Sequence, residues 1–182
     1  MYLCRKFTQM TKKGCILALA CWLSAFGCTA QDFAVEQLAD SLYVLTLTTG
    51  DAVDRWQLPY PVYRMETGDV NGDGTVEALV GVVKTTRFHP EMGRRLFIFK
   101  NYEGLVRPMW LGSKLGGILQ DFHFQNGVVR SLETNKRGEY SVAEYRWSGF
   151  GPKFERFLVR NVSEQEALAS FNSGNPSLNS KL

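Results

Sequence analysis

Cysteine is missing from most of this 182-residue chain. All four cysteines lie near the start, at Cys4, Cys15, Cys21 and Cys28. The rest of the chain therefore has no thiol for a disulfide bond, a zinc–thiolate site or a nucleophilic cysteine. A domain built from that part must be stabilised by its hydrophobic core, with the help of a metal ion where one is bound.

Histidine is almost as scarce, with His89 in front of Pro90 and His123 between two phenylalanines. A metal pair or a general base needs a second group within reach, and the sequence displays none beside either histidine. The chain also has no phosphate-binding glycine loop, and Ser113 does not lie in a nucleophile elbow. These absences give no support to a catalytic function.

Acidic residues are absent from positions 1–30. Four basic residues lie within its first 13 positions, an apolar run follows over 15–26, and small residues end it. That order predicts a secretory signal peptide, and hence an exported protein of the periplasm, the outer membrane or the extracellular space. Because the apolar run is shorter than the ~20 residues of a membrane span, no transmembrane segment is expected in the mature protein.

Two processing sites compete within this signal. Cleavage after Ala30 would release a soluble protein that starts at Gln31, whereas residues 25–28 resemble a lipoprotein signal in which Cys28 is lipidated. Phe26 is bulky where the lipoprotein pattern prefers a small residue, so cleavage after Ala30 is favoured.

Excess positive charge is also lacking once the signal is removed. Of the 21 basic and 18 acidic residues, four basic and no acidic ones lie in positions 1–30, which leaves 17 against 18 and a formal charge of −1. Bulk electrostatic attraction to nucleic acid is therefore not expected.

One short stretch does carry metal-binding chemistry, the sequence Gly-Asp-Val-Asn-Gly-Asp-Gly-Thr-Val-Glu over residues 68–77. Oxygen-bearing side chains recur at Asp69, Asn71 and Asp73, and Glu77 adds a further carboxylate. Calcium takes about six to eight oxygens at ~2.3–2.6 Å, so a short loop must turn back on itself to supply them. Two glycines in the loop permit the positive φ angles that such a turn needs.

The loop is not completed as an EF-hand, because the twelfth position counted from Asp69 is the apolar Val80 and strand-forming residues follow. The loop and the strand after it resemble instead the FG-GAP (VCBS-type) repeat, a β-propeller blade with calcium between its first two strands. The resemblance implies one calcium ion whose ligands are Asp69, Asn71, Asp73, the Thr75 carbonyl and Glu77.

Two features limit the match to that family. It usually has aspartate where this chain has Glu77, and residues 121–127, at the equivalent place in the next repeat, lack the acids for a second ion. The alternative is an Asn/Asp/Gly-rich hairpin turn without metal.

The chain after position 30 is rich in short strand-like runs, about eleven of them, with no long helix. It predicts an all-β domain over 31–160, with short antiparallel sheets arranged as two to three propeller-like blades, open or incomplete. A capping box at residues 163–166 predicts a short helix, and residues 161–182 are expected to hold that helix and a disordered tail.

Closed propellers have about four to eight blades, more than this length supplies. The open alternatives are a fan of sheets, a dimer that completes a ring and an irregular barrel. A β-sandwich with one metal-bound hairpin is a further alternative.

An internal repeat supports the blade arrangement. The segment Leu-Tyr-Val-Leu at 42–45, followed by a glycine and Trp56, recurs as Leu-Phe-Ile-Phe at 96–99, followed by a glycine and Trp110. The leucine-to-tryptophan distance is fourteen residues in both copies, and a looser third copy runs over 142–157. We interpret the copies as hairpins of three sheets, one incomplete and two complete.

The connection over residues 84–95 is basic and longer than a hairpin loop normally needs. One interpretation is a contact surface that binds an anionic group or a sugar through cationic and aromatic side chains. The candidate partner-binding residues are Arg87, Phe88, Arg94 and Arg95. The alternative is a solvated flap whose arginines pair with nearby acids.

Tryptophan adds two further candidates for partner binding. Trp110 and Trp147 have rings that can stack on sugars, although tryptophans at repeat-equivalent positions are more often packed between sheets.

These features predict a non-catalytic, calcium-stabilised binding or assembly module of the cell envelope, whose partner is an unknown envelope protein or glycan. The alternative is a carbohydrate-processing accessory enzyme or sugar-binding protein that uses an acid pair on the loop face. Asp121, Glu133 and Glu144 keep this alternative open, since a glycosidase needs two carboxyls ~5–9.5 Å apart.

Overall fold

The computed structural model describes residues 31–87, 89–112 and 115–173. The predicted signal peptide and residues 174–182 of the predicted tail lie outside the described residues. The described residues form eleven strands and one helix: β1 Gln31–Ala39, β2 Leu42–Thr49, β3 Ala52–Leu58, β4 Val62–Gly68, β5 Glu77–Thr86, β6 His89–Tyr102, β7 Leu105–Leu111, β8 Ile118–Gln125, β9 Val128–Thr134, β10 Tyr140–Ser148, β11 Gly151–Val162 and α1 Glu164–Asn172.

The strands form three open antiparallel sheets, each a succession of hairpins. Sheet A has the order β1-β2-β3, sheet B has β4-β5-β6-β7, and sheet C has β11-β10-β9-β8. The predicted all-β class, with one incomplete and two complete blade-like sheets, is confirmed. The predicted short helix follows the last strand.

Glycines close equivalent hairpins in the three sheets, as the internal repeat predicts. Gly50, Gly104 and Gly149 lie in the β2–β3, β6–β7 and β10–β11 turns with φ of 59°, 81° and 64°. This left-handed region is readily accessible to glycine because it has no Cβ atom.

Sheet B is buried on both faces, which explains the long apolar run of β5. Alternate residues of a strand point to opposite faces. Leu79 belongs to the core shared with sheet C, whereas Val80 and Val82 belong to the core shared with sheet A. The chain is therefore a stack of three sheets, and the two-sheet sandwich considered above is wrong.

Helix α1 covers part of the outer face of sheet C. Its N-cap is Ser163, whose hydroxyl accepts the Glu166 amide as a capping box predicts. Ala167 and Phe171 pack against Leu132 and Val142 of sheet C. Among the described residues, no helix is both long enough and apolar enough to span a bilayer.

The basic connection between β5 and β6 is shorter than the sequence suggests. Thr86 lies opposite His89, so residues 87 and 88 alone separate the strands, and most of the expected loop is paired strand. Pro90 is tolerated because β7 pairs with β6 only from Phe97 onward, which leaves the first part of β6 at the sheet edge. The expectation of a long loop over 84–95 is therefore wrong.

Candidate functional site

The Asp/Asn loop joins the first two strands of sheet B. Gly68 ends β4 and lies opposite Glu77, which begins β5, so the sheet itself fixes both ends of the loop. Gly72 and Gly74 have φ of 79° and 84° within it. A β-carbon is disfavoured at both angles, so the two glycines allow the chain to reverse here.

The carboxylate of Asp69 organises the first half of the loop. Its Oδ1 atom accepts the amide N–H of Gly72 at 2.7 Å and of Asp73 at 3.1 Å, and its Oδ2 atom accepts the amide of Gly74 at 2.9 Å. Three main-chain donors thus converge on one acid, and the loop wraps around that side chain.

Asn71 and Asp73 continue the same pattern. Asn71 Oδ1 accepts the Asp73 amide at 2.9 Å, and Asp73 Oδ1 accepts the Thr75 amide at 2.8 Å. The hydroxyl of Thr75 also donates to Asp73. The hydrogen bond with Thr75 is the first cause that holds the pKa of Asp73 below its ordinary value, and Asn71 adds to it.

Glu77 is the buried member of the set, with 1% of its surface exposed. Its two carboxylate oxygens accept the Val70 amide at 2.8 Å and the Thr75 hydroxyl at 3.2 Å, both neutral donors. Burial raises the pKa of Glu77, and the negative charges of Asp73 and Asp69 raise it further. None of the ion pairs between described residues includes Glu77.

This arrangement fits calcium by donor type. A buried carboxylate is costly without a compensating partner, and the negative charges of Asp73 and Asp69 act unfavourably on that of Glu77. In the described part of the chain, no three His, Cys, Asp or Glu side chains form a metal-binding group. The predicted ligand set includes three such acids, Asp69, Asp73 and Glu77, and the structure does not bring them together as a group of this kind. Asn71 and the Thr75 carbonyl would add neutral oxygens, which calcium accepts. Calcium remains a prediction.

The predicted basic contact residues do not form one exposed patch. Arg95 is 7% exposed and donates to the carbonyl oxygens of Arg94 and Glu91, both at 2.8 Å. Arg94 lies 4.8 Å from the centre of the Tyr63 ring and donates to the Gln120 carbonyl of sheet C. Two of the four candidates thus have structural contacts.

Of the other two candidates, Arg87 is exposed in the turn after β5, and Phe88 lies outside the described residues.

The two candidate tryptophans have different surroundings. Trp110 belongs to the core between sheets B and C, and a Cβ atom on Gly151 would lie 2.9 Å from its Nε1 atom, so its ring packs inside. Trp147 is half-buried. It lines a surface cleft of about 350 Å³ together with Asn71 of the Asp/Asn loop and the fully exposed Phe150.

The three acids on which the alternative enzymatic function depends all have hydrogen-bond or ion-pair partners. Asp121 pairs with Arg64 at 2.7 Å, and Glu133 accepts the hydroxyls of Ser131 and Tyr145 at 2.6 and 2.8 Å. Glu144 forms ion pairs with arginines on both neighbouring strands.

Sequence analysis missed a second site, a charged cleft on the outer face of sheet C. His123, Arg130, Glu144 and Arg156 lie directly opposite one another on β8, β9, β10 and β11. No local sequence motif indicates this row of residues, because each of the four strands contributes only one of them. Its partial signal is the spacing of Glu144 and Arg146, which are two residues apart on β10 and therefore share a face.

Comparisons with protein-family models, curated proteins and solved structures find no match to this chain. The resemblance to the FG-GAP repeat therefore rests on the loop and on the strands that flank it.

Proposed function

We propose that this protein is a non-catalytic, calcium-stabilised binding or assembly module of the cell envelope, similar to an FG-GAP blade unit. The observation that carries the proposal is Glu77, a buried carboxylate whose hydrogen-bond donors are neutral and whose pKa is raised by burial and by the charges of Asp73 and Asp69. A divalent cation offsets both the burial and the repulsion.

The ion would be held by Asp69, Asn71, Asp73, the Thr75 carbonyl and Glu77. Bound calcium supplies positive charge that links the two ends of the loop. Because Gly68 and Glu77 are paired residues of β4 and β5, the ion would stabilise the start of sheet B. Its role in this proposal is structural.

The proposed contact surface lies where exposed side chains border this stabilised region. Trp147 and Phe150 line a cleft with Asn71 of the loop, and Lys100 adds a cation. An aromatic pair with one base suits a glycan or a protein loop that carries negative charge. Arg87, at the tip of the β5–β6 hairpin, offers a second exposed contact.

The surroundings of the acids favour binding over hydrolysis. A glycosidase needs one carboxyl to donate a proton and another to attack or to activate water. Asp121 and Glu144 have arginine partners, and Glu133 is 2% exposed within a hydroxyl network.

Thermal unfolding in a calcium titration tests the proposal. The melting temperature of the wild type should rise between chelator and millimolar calcium, because an ion that binds the folded state stabilises it by mass action. Extracellular sites bind at ~10⁻⁴–10⁻³ M, so the titration must reach that range. Asp69→Ala and Glu77→Gln should remove the response.

Asp51→Ala is the matched control, since this exposed acid lies in the β2–β3 turn, far from the loop in sequence. It should keep the calcium response of the wild type. Identical melting curves of the wild type in chelator and in millimolar calcium would contradict the proposal.

A further inference from the structure

A cleft of about 410 Å³ lies on the outer face of sheet C, beside the C-terminal end of α1. Strand alternation explains its position. Val129 and Ala143 belong to the core shared with sheet B, so their neighbours Arg130 and Glu144 point to the opposite face. Helix α1 covers the apolar part of that face, around Leu132 and Val142, and leaves the charged part beside it.

Glu144 forms the floor of the cleft and is 5% exposed. Its Oε1 atom accepts Arg130 Nη2 at 3.0 Å, and its Oε2 atom accepts Arg156 Nε at 2.7 Å. Burial alone raises the pKa of Glu144, but the hydrogen bonds and charges of Arg156 and Arg130 outweigh it and lower the pKa overall. The carboxylate is therefore ionised at neutral pH and compensates one of its two arginines.

Arg130 has little capacity left for a ligand. Its Nε and Nη2 atoms donate to Glu144, and its Nη1 atom donates to the carbonyl oxygens of Phe171 and Ser173 at the end of α1. Arg130 therefore ties the helix to the sheet and fixes one wall of the cleft.

Arg146 and Arg156 retain free donors. Arg146 is half exposed, and its nearest acid, Glu155, lies 3.6 Å from Nε, beyond hydrogen-bond distance. Among the described residues no hydrogen bond uses the Arg146 guanidinium or the Nη1 atom of Arg156. Both side chains line the cleft.

A β-bulge brings these groups to the same side. The register shifts after Glu144, which lies opposite Arg156, while Tyr145 lies opposite Phe154, so Glu155 has no partner on β10. Glu155 and Arg156 are consecutive, yet both line the cleft. Bulges of this kind change the direction of a side chain at a strand edge.

The charged residues that line the cleft carry a net positive charge. Three arginines face two glutamates, and Lys153 lies opposite Arg146 on the edge strand. Guanidinium groups bind carboxylate and phosphate oxygens through paired, charge-assisted hydrogen bonds. The volume lies within the range of about 300–1,000 Å³ that small-molecule sites occupy.

We propose that this cleft binds a small anion that carries carboxylate or phosphate groups, held by Arg146 and Arg156 above the fixed Arg130–Glu144 pair. The site lies on sheet C and uses none of the proposed calcium ligands. It goes beyond the proposed function and does not depend on it.

Isothermal titration of the purified native protein with inorganic phosphate, citrate and glucuronate tests this site, with glucose as the uncharged control. Heat with phosphate alone would identify a phosphate ligand, and heat with citrate or glucuronate a carboxylate ligand. Arg146→Gln should weaken binding about tenfold or more, because one charge-assisted contact is lost. Arg137→Gln removes the same charge from the exposed β9–β10 turn and should bind as the wild type does.

Arg156→Gln should also weaken binding, but it loosens Glu144, so its melting temperature must be measured alongside. Binding should persist in chelator, which separates this result from the calcium test. Absence of heat for all three anions at millimolar concentration, or equal losses in Arg146→Gln and Arg137→Gln, would overturn the proposal.

Discussion

Gly68 lies directly against the ring of Phe124, so closely that a Cβ atom at position 68 would be 2.7 Å from the Cδ1 atom of that ring. Gly68 is the last residue of β4 and precedes the Asp/Asn loop, whereas Phe124 belongs to β8 of sheet C. Glu66, two residues earlier, accepts the Phe124 amide, which ties the backbone of β8 at this residue to β4. The start of the loop is thus fixed by a neighbouring sheet.

We predict that Gly68→Ala destabilises the protein by about 1–3 kcal/mol, the usual cost of overpacking a filled core position. The added methyl group has no space unless the Phe124 ring shifts. Urea unfolding measures the loss, and Gly68→Ala combined with Phe124→Leu should recover part of it. Gly138→Ala is a comparison in which backbone strain acts without overpacking, because its φ is 79° and no atom lies within 4 Å of its Cβ position. Equal stability of Gly68→Ala and the wild type would show that the contact is not restrictive.

Glu144 should make stability depend on pH. Its pKa in the folded protein is below the ordinary value of 4.5, so its ionised form favours folding. That contribution is complete above about pH 4.5 and is lost as the pH falls through the lower folded pKa. At pH 7, Glu144→Gln should cost about 2 kcal/mol, and its stability should converge with that of the wild type at acid pH.

Unfolding curves of both proteins between pH 3 and 7 check this dependence. Glu155→Gln is the control, since Glu155 is 43% exposed and its contact with Arg146 is long. A difference between Glu144→Gln and the wild type that stays constant with pH would contradict the ionic explanation.

Phe171 should anchor helix α1. The residue is 3% exposed, and its ring stacks on His123 with centroids 4.3 Å apart. Phe171→Ala should cost about 3 kcal/mol and increase amide exchange along the helix, because large-to-small core changes leave a cavity. Hydrogen–deuterium exchange checks the local effect. Leu168→Ala, on the exposed side of the same helix, should change exchange little.

Arg95 should affect stability more than partner binding. Its guanidinium links the carbonyl oxygens of Glu91 and Arg94 at the base of the β5–β6 hairpin. Arg95→Ala should therefore cost about 1–2 kcal/mol, whereas Arg55→Ala, at an exposed position of β3, should stay within about 0.5 kcal/mol. Thermal melting compares the two, and equal melting temperatures would contradict a structural role.

Export predicts a shortened mature chain. Cleavage after Ala30 gives an N-terminus at Gln31, whereas lipoprotein processing leaves an acylated Cys28, and Cys28→Ala would then make the protein soluble. Intact-mass measurement of the native protein distinguishes the two products. A native chain that retains residues 1–30 unmodified would contradict both.

The sequence by itself determined the local features of this protein. Alternation of apolar and polar residues predicted the strands, because side chains of a strand alternate between two faces. Gly50, Gly104 and Gly149 marked the hairpin turns, because their backbone angles disfavour a β-carbon. The oxygen-bearing residues of the Asp/Asn loop could be recognised from the sequence, because the residues that hydrogen-bond to one another there are at most seven positions apart.

Tertiary structure decided what depends on residues distant in sequence. The ion pair of Arg64 with Asp121 joins residues 57 positions apart in the sequence. The row from His123 to Arg156 forms only when four strands pair in the correct register. The same holds for the burial of Arg95, which was expected at a contact surface, and for that of Trp110, for which the sequence left both a contact surface and packing between sheets open. A strand pattern shows which residues share a face, but whether that face meets another sheet, a helix or solvent is set by how the sheets stack.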